Sequence, residues 1–217
     1  MESQVRGGTR WKRFAVVMVP SVAATAAIGV ALAQGALAAS FSVSGQSFKV
    51  TAQSLHGDGF AQYGAIDQGY TMSGGKTAHA VAVSAFKNAT IQKMCQSVVT
   101  PDIPLLGDVT LRLEAGDSSD KDKQVQADNL YIDVEDLQAD ATFHGLDIGV
   151  AAKDASKGPG MKGNGEQANP FGFAQQADSV DLTDVKQTAW ATTAGTFKLS
   201  GLHMSLKKGS GKGIECY

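Results

Sequence analysis

The sequence predicts an all-β domain behind an N-terminal export segment, and three observations lead to this conclusion. Apolar and polar residues alternate with a period of two through most of the chain after residue 40. Turn signals rich in glycine and serine separate the alternating runs. No stretch of helical spacing (i, i+3, i+4, i+7) is long enough to predict an amphipathic helix within the domain.

The first element, residues 1–38, is predicted to be an export signal peptide or an uncleaved N-terminal anchor helix. Four basic residues precede an uncharged run over residues 14–33, and small residues follow that run. This order is typical of a secretory signal, and we expect cleavage between Ala38 and Ala39. The uncharged run is also 20 residues long, enough to span a bilayer, so retention as an anchor stays open.

The remainder, residues 39–217, is predicted to be a single β-rich extracytoplasmic domain. Residues 1–38 hold four of the 19 basic and one of the 21 acidic residues, which leaves 15 basic and 20 acidic side chains and a net charge of −5. This balance argues against nucleic acid and against an anionic membrane surface as partners, and leaves membrane contact to a retained N-terminal segment. The local basic concentration at Lys207, Lys208 and Lys212 is interpreted as a solvated tail. The sequence gives no oligomeric state.

Alternating runs mark the predicted strands in chain order. The clearest runs cover residues 48–52, 109–113, 130–134 and 197–206. Such runs form half-buried strands with one face towards water. Because the runs are unequally spaced, they favour a curved sheet, a roll or an irregular sandwich, with an irregular β-solenoid as the alternative.

Turns are predicted at residues 57–59, 73–75 and 116–118 and at Gly201. A longer segment rich in glycine and proline, residues 153–172, interrupts the alternation. A segment of this length in a small domain is usually functional or mobile. We expect a surface excursion, with a lid as the functional alternative.

The apolar side of these strands predicts either a closed core or a groove for an apolar molecule. A packed core is the rule for small domains, and a groove is the alternative. Eight side chains are expected to line this space: Phe143, Leu146, Ile148, Phe197, Leu199, Leu202, Met204 and Leu206.

No motif predicts a catalytic, cofactor or metal site. The nucleophile elbow G-x-S-x-G is incomplete, because Ser47 follows Gly45 at the right spacing but has Lys49 where the second glycine is required. Ser118 follows Gly116 in the manner of another esterase class, but the paired Asp and His of that class are missing. The four histidines show no metal-ligand spacing, and neither a phosphate loop nor a zinc pattern is present.

The two cysteines, Cys95 and Cys216, both lie in the predicted exported domain. An even number of cysteines in an oxidising compartment favours a disulfide bond. Two buried thiols are the alternative. A zinc site is disfavoured, because neither cysteine has a second Cys or a His at ligand spacing.

Several longer strings resemble one exported bacterial family. They cover residues 31–41, 94–101, 176–179, 186–197 and 215–217. The strings resemble an actinobacterial family, common in Streptomyces, whose function is unassigned and which is often labelled "cholesterol esterase". The resemblance spans essentially the whole chain and implies an exported protein with Cys95 paired to Cys216. It implies no catalytic residue, and the incomplete nucleophile elbow speaks against the esterase label.

Together these features predict a non-enzymatic exported protein of the cell envelope that is structural or binds apolar molecules such as lipid. Its expected partners are a lipid or another envelope protein, and no cofactor is expected. A secreted lipid or sterol esterase is the alternative function. The expected location is extracytoplasmic, either secreted or held at the envelope by the N-terminal segment.

Overall fold

The structure, a computed structural model, describes residues 44–162 and 167–217, and this part of the chain is mostly β. Its strands are β1 Phe48–Tyr70, β2 Lys76–Gln92, β3 Met94–Ile103, β4 Gly107–Ala115, β5 Val125–His144, β6 Asp147–Ala151, β7 Gln167–Ala168, β8 Phe173–Thr193, β9 Thr196–Lys198 and β10 His203–Lys208. Short 3-10 turns lie at Lys121–Lys123 and Ala152–Asp154. The all-β prediction is confirmed, and the predicted export segment lies outside the described residues.

Four long strands close the sheet on itself. β1 pairs with β2, β2 with β5, β5 with β8, and β8 pairs again with β1, all antiparallel. The result is a small closed barrel, in which closure removes the exposed edges of an open sheet. The solenoid alternative is wrong, because the coils of a β-solenoid stack parallel strands.

A three-stranded extension continues the sheet beyond the barrel. β3 pairs with the first residues of β1, β4 pairs with β3, and β10 pairs with β4 as the outermost strand. We call this part the β3–β4–β10 sheet. The short strands β6, β7 and β9 pair with β8, β1 and β5 respectively.

Inward-facing side chains of the four long strands form the main core of the barrel. Phe86 and Leu130 are among its largest fully buried side chains. The rings of Phe60 and Phe86 lie 5.4 Å apart with an interplanar angle of 43°, a tilted aromatic pair. Alanines at several inward positions keep the interior of this narrow barrel filled without crowding.

The predicted turn at residues 57–59 is wrong, because β1 runs through it. Gly59 has a φ of +63°, and Gly59 and Lys87 are both left out of the pairing between β1 and β2, whose register is the same before and after this point. A Cβ atom on Gly57 would lie 2.3 Å from the Phe86 ring. Gly59 therefore interrupts the pairing locally within a continuous strand, and Gly57 makes room for a core ring. The other predicted turns do lie between strands.

The segment rich in glycine and proline packs on the outer face of the barrel along its described residues. Gly158 and Pro159 are buried, and Met161 packs against a second apolar cluster around Tyr63. The backbone N–H groups of Ser156 and Lys157 both donate to Gln176 Oε1, at 2.7 and 3.0 Å. In these residues the segment packs on the barrel as an outer cover. This position differs from the lid over the interior that was the functional alternative.

A buried ion pair fastens this cover to β5. Lys162 Nζ lies 2.6 Å from both carboxylate oxygens of Asp133, and the Asp133 side chain is 1% exposed. The backbone N–H of Lys162 also donates to Tyr63 Oη at 3.1 Å. Because a buried carboxylate is costly without a partner, this pair couples the position of the cover to the barrel wall.

The predicted disulfide between Cys95 and Cys216 is present, with Cα atoms 5.8 Å apart and a sequence separation of 121. It fixes the C-terminal tail across one face of the β3–β4–β10 sheet. Arg112 Nη1 donates to the backbone oxygen of Glu215 at 3.2 Å, and Cys216 N donates to Ser97 Oγ at 3.1 Å. The tail is therefore held by both covalent and polar contacts.

Replacing Cys95 and Cys216 by serine is expected to lower the free energy of unfolding by about 2–5 kcal/mol, because the disulfide closes a long loop in the unfolded chain. Urea unfolding followed by circular dichroism measures this loss. The wild-type protein unfolded in the presence of reductant serves as the control and should approach the variant. An unchanged unfolding midpoint in the variant would contradict the prediction.

Lys162→Met is expected to lower the free energy of unfolding by about 3–5 kcal/mol, because it leaves the buried Asp133 carboxylate unpaired. The matched control is Lys162→Met combined with Asp133→Asn, which removes both charges and should regain part of the loss. Thermal and urea unfolding of the three proteins give the comparison. Equal stability of the single variant and the wild type would show that the pair does not hold the cover.

Candidate functional site

The wall of the barrel opens along the second half of β5. Its register with β2 ends where Val134 lies opposite Ala82, whereas its register with β8 continues until His144 lies opposite Ser179. Beyond Val134, β5 is therefore held on its β8 side. The inward-facing side chains of this half of the strand border an opening into the interior.

An apolar pocket of about 160 Å³ lies behind this opening. All four long strands contribute to its lining, which consists of Leu55, Phe60, Gln62, Ser84, Phe86, Ile132, Leu137, Ala139, Ala141, Phe143, Val180, Leu182 and Gln187. Most of these side chains are aliphatic or aromatic. The pocket thus offers a mainly apolar surface inside a rigid antiparallel frame.

Three aromatic rings and two small side chains shape this pocket. The Phe60 ring lies 5.4 Å from Phe86 and 5.5 Å from Phe143, measured between ring centroids. Ala139 and Ala141 take inward positions on β5 where larger side chains would fill the space. Leu137, also in the lining, is 41% exposed, so the pocket meets solvent through an apolar side chain.

A short row of polar side chains borders the same pocket. Gln175 Nε2 donates to Gln62 Oε1 at 2.6 Å, and Gln62 Nε2 donates to Ser84 Oγ at 2.8 Å. Gln187 is a further buried polar residue of the lining. Neutral amides and a hydroxyl of this kind can orient one polar group of a largely apolar guest.

Two of the eight side chains predicted to line the interior contact the main core. These are Phe143, which also borders the pocket, and Leu199. The other six are exposed, which corrects the prediction: Leu146, Ile148, Phe197, Leu202, Met204 and Leu206. They lie in or beside β6, β9 and β10, short strands at the margins of the sheet where alternation continues but the apolar side is not enclosed.

A second and larger cleft, about 1170 Å³, lies beside the disulfide and is lined by charges of both signs. Arg112 Nη2 donates to Glu114 Oε1 at 2.7 Å, and His203 Nδ1 lies 3.6 Å from Glu114 Oε2. The hydrogen bond from Arg112 holds the pKa of Glu114 below its usual value. These three side chains interact with one another, and the rest of the lining mixes lysines, aspartates and small residues, so the cleft is a less specific candidate than the apolar pocket.

Two histidines that are far apart in the sequence meet at one carboxylate. His56 Nδ1 lies 2.7 Å from Asp181 Oδ1, and His144 Nε2 lies 3.3 Å from Asp181 Oδ2. The hydrogen bond with His56 is the main reason why the pKa of Asp181 lies below its ordinary value. Sequence spacing missed this cluster because its members lie on β1, β5 and β8 and become neighbours only through the strand register.

The two serines considered as nucleophiles lie apart from the histidines. Ser118 Oγ accepts a hydrogen bond from the backbone N–H of Asp120, and Ser47 directly precedes β1. In residues 44–162 and 167–217, the structure shows no hydrogen bond between a histidine and either serine. The same residues contain no group of three or more His, Cys, Asp or Glu side chains arranged to hold a metal ion.

Within residues 44–162 and 167–217, no helix has the length and hydrophobicity needed to cross a membrane.

The fold and the pocket define a small disulfide-bonded protein whose antiparallel barrel holds a mainly apolar site. The chain belongs to a family of unknown function, DUF6230, whose profile matches residues 44–217. The matched region includes every described strand. No curated protein and no solved structure matches the chain. Membership of this family establishes a relationship but gives no activity, because the function of the family is unknown.

Asp181→Asn is expected to lower the free energy of unfolding by less than about 1 kcal/mol at neutral pH, because the cluster is half exposed and partly screened. The folded-state pKa of Asp181 lies below its ordinary value of 3.8, so the ionised carboxylate stabilises the fold above that value. This contribution is lost as the pH falls through the folded-state pKa. The stability difference between wild type and variant should therefore begin to shrink near pH 3.8 and disappear in stronger acid, once the pH is below the folded-state pKa.

Urea unfolding at a series of pH values measures this difference. Asp136→Asn is the control, since Asp136 is an exposed carboxylate on β5. A difference for Asp181→Asn that persists unchanged into strong acid would show that the charge of Asp181 is not responsible.

Proposed function

We propose that this chain is an exported, non-enzymatic protein of the cell envelope whose barrel pocket binds an apolar segment of a lipid. The observation that carries the proposal is the mainly apolar pocket behind the opening in the barrel wall. Its exposed border, Leu137, and its aromatic floor around Phe60 suit a hydrocarbon guest. Such a guest gains stability by leaving water, and polar groups are required only to orient it.

The volume of the pocket favours the end of an acyl chain over a sterol body. The cavity of about 160 Å³ is comparable in size to apolar cavities of roughly 150 Å³ that bind benzene. Pockets for whole drug-sized ligands are several times larger, roughly 300–1,000 Å³. We therefore assign the terminal carbons of one acyl chain to the pocket, with the rest of the chain passing Leu137.

The disulfide supports the extracytoplasmic location of this activity. A bond between Cys95 and Cys216 is typical of an oxidising compartment. The predicted export segment over residues 1–38 favours the same location. Lipid suits the pocket in that location, because proteins of the cell envelope are in constant contact with lipid.

The side chains that line the pocket favour binding over hydrolysis. Ser84 is the one hydroxyl residue in that lining, and its oxygen accepts a hydrogen bond from Gln62. Acyl-ester hydrolysis by a serine requires an adjacent base, such as histidine, to activate the nucleophile. The pocket lining contains no such residue, so we favour binding over the esterase alternative.

The proposal is tested by fluorescence titration of the full chain with parinaric acid, a fluorescent fatty acid. We expect saturable binding of one molecule per chain. Ala139→Phe fills the pocket and should weaken binding at least about tenfold. The matched control is Gln138→Phe, which adds the same ring at the neighbouring exposed position of β5.

Circular dichroism checks that each variant folds, and Ala141→Val provides a milder filling variant if Ala139→Phe does not. Equal binding by wild type and a folded filling variant would place the fatty acid elsewhere and overturn the proposal. Ester turnover by the wild type that is abolished by Ser47→Ala or Ser118→Ala would replace it with the esterase function.

A further inference from the structure

One face of the β3–β4–β10 sheet is apolar and exposed. Met204 lies opposite Leu113, and Leu206 lies opposite Leu111, which in turn lies opposite Val98. Side chains of directly opposed residues project from the same face of an antiparallel sheet. Met204 is 57% exposed and Leu206 is 74% exposed, so the outermost row of this apolar face lies in solvent, whereas Leu111, Leu113 and Val98 beside it are half-buried.

The opposite face of the same sheet is covered by the C-terminal tail. Thr110 Oγ1 donates to the backbone oxygen of Gly209 at 2.7 Å, and Cys216 N donates to Ser97 Oγ at 3.1 Å. Thr110 and Ser97 are buried under this tail. Within the part of the chain that the structure describes, the polar side of this sheet is covered and its apolar side is not, whereas a one-sided sheet usually packs its apolar face against a core.

The turn between β3 and β4, residues 104–106, extends this apolar surface. Leu105 is fully exposed, at 102% of its reference area, and Leu106 is 51% exposed. Leu105 also has a φ of +70°, a backbone conformation that glycine or asparagine adopts far more readily than leucine. Against the described residues, a leucine exposed to this degree is not stabilised by packing. Its side chain is therefore available for a contact outside the protein.

Lysines border this turn and its sheet. Lys207 and Lys208 end β10, and Lys212 follows in the tail. The tail is held beside the turn by the hydrogen bonds from Gly209 N to the Asp108 backbone oxygen and from Ser210 Oγ to Asp108 Oδ2.

The basic border contrasts with the charge of the predicted domain as a whole, which is −5. Two acidic residues flank the turn, Asp102 and Asp108, and the backbone N–H of Asp102 donates to the Asp108 carboxylate at 3.3 Å. Glu215 also lies beside Lys212 in the tail and is paired with Lys49, with Nζ and Oε2 2.8 Å apart. With this pair included, four lysine and three acidic side chains leave a positive balance of one. The interpretation of these lysines as a solvated tail therefore does not account for Lys207 and Lys208, which lie in β10 near the exposed leucines of the turn.

We propose that the β3–β4–β10 sheet docks on an anionic lipid bilayer, with Leu105 and Leu106 inserted among the acyl chains and the lysines facing lipid phosphates. Apolar side chains in the interface and basic side chains at the headgroups are the two contributions that hold peripheral proteins on membranes. This surface goes beyond the pocket, and its function does not depend on whether the pocket binds an acyl chain.

A bilayer suits the shape of this surface better than a second copy of the chain. A fluid acyl layer accommodates a protruding turn without a shaped socket, whereas a protein partner must provide one that matches Leu105. An anionic bilayer also supplies the apolar phase and the negative charge together. We therefore commit to the bilayer as the occupant.

The test uses the full chain with Leu105→Cys labelled with the environment-sensitive fluorophore NBD. The two native cysteines are joined in the disulfide and do not react without reductant. Vesicles of equal parts phosphatidylglycerol and phosphatidylcholine should shift the NBD emission to the blue, and acyl-chain bromination should quench it. Replacing Lys207, Lys208 and Lys212 by glutamine should weaken this response at least about tenfold.

The matched control is the same label on Phe171→Cys, an exposed apolar position before β8 that is 77% exposed. This label should keep its emission in water when vesicles are added. The proposal is overturned by an unchanged Leu105 label, by equal responses of both labels, or by equal responses to anionic and purely phosphatidylcholine vesicles. A blue shift that rises with protein concentration in the absence of lipid would assign the surface to a second copy instead.

Discussion

The double pairing of β1 is the constraint on which the rest of this structure depends. One edge of β1 pairs with β2 and the other with β8, and β5 joins β2 to β8, so the sheet closes around a narrow interior. The strand can follow this path because Gly59 adopts a positive φ and Gly57 leaves room for the Phe86 ring. The outer cover and the β3–β4–β10 sheet are then attached to a frame that is already closed.

The two apolar surfaces arise from different mismatches within this one sheet. The pocket exists because β5 continues past Val134 after its register with β2 has ended, which leaves inward-facing side chains beside an opening. The exposed face of the β3–β4–β10 sheet exists because three strands extend beyond the barrel and the tail covers their polar side. The molecule bound in the pocket and the bilayer beneath the β3–β4–β10 sheet need not be related. Each surface is formed by its own residues, and neither depends on the other.

The period of two in the sequence predicted the strands, and the even number of cysteines predicted the bond between Cys95 and Cys216, because both signals are local or compositional. The closure could not be predicted in this way. Alternation is the same for the buried Leu55 and the exposed Leu206, and only the register decides which one is enclosed. The register also brings His56 to Asp181, and the glycines at 57–59 are compatible with a continuous strand as well as with a turn. The alternation over residues 137–143, with its two alanines, was the available signal for the pocket.

The separation of 121 residues between the disulfide partners has a consequence for the order of events during biogenesis. β1 pairs with β8 across a similarly long stretch of chain, and topologies dominated by non-local contacts fold slowly. Until β8 has been synthesised, β1 lacks one of its two neighbours in the barrel. Synthesis from the N-terminus thus leaves the barrel open and the thiol of Cys95 unpaired until Cys216 has been made. Formation of the disulfide therefore requires that all strands from β1 to β10 have already been synthesised.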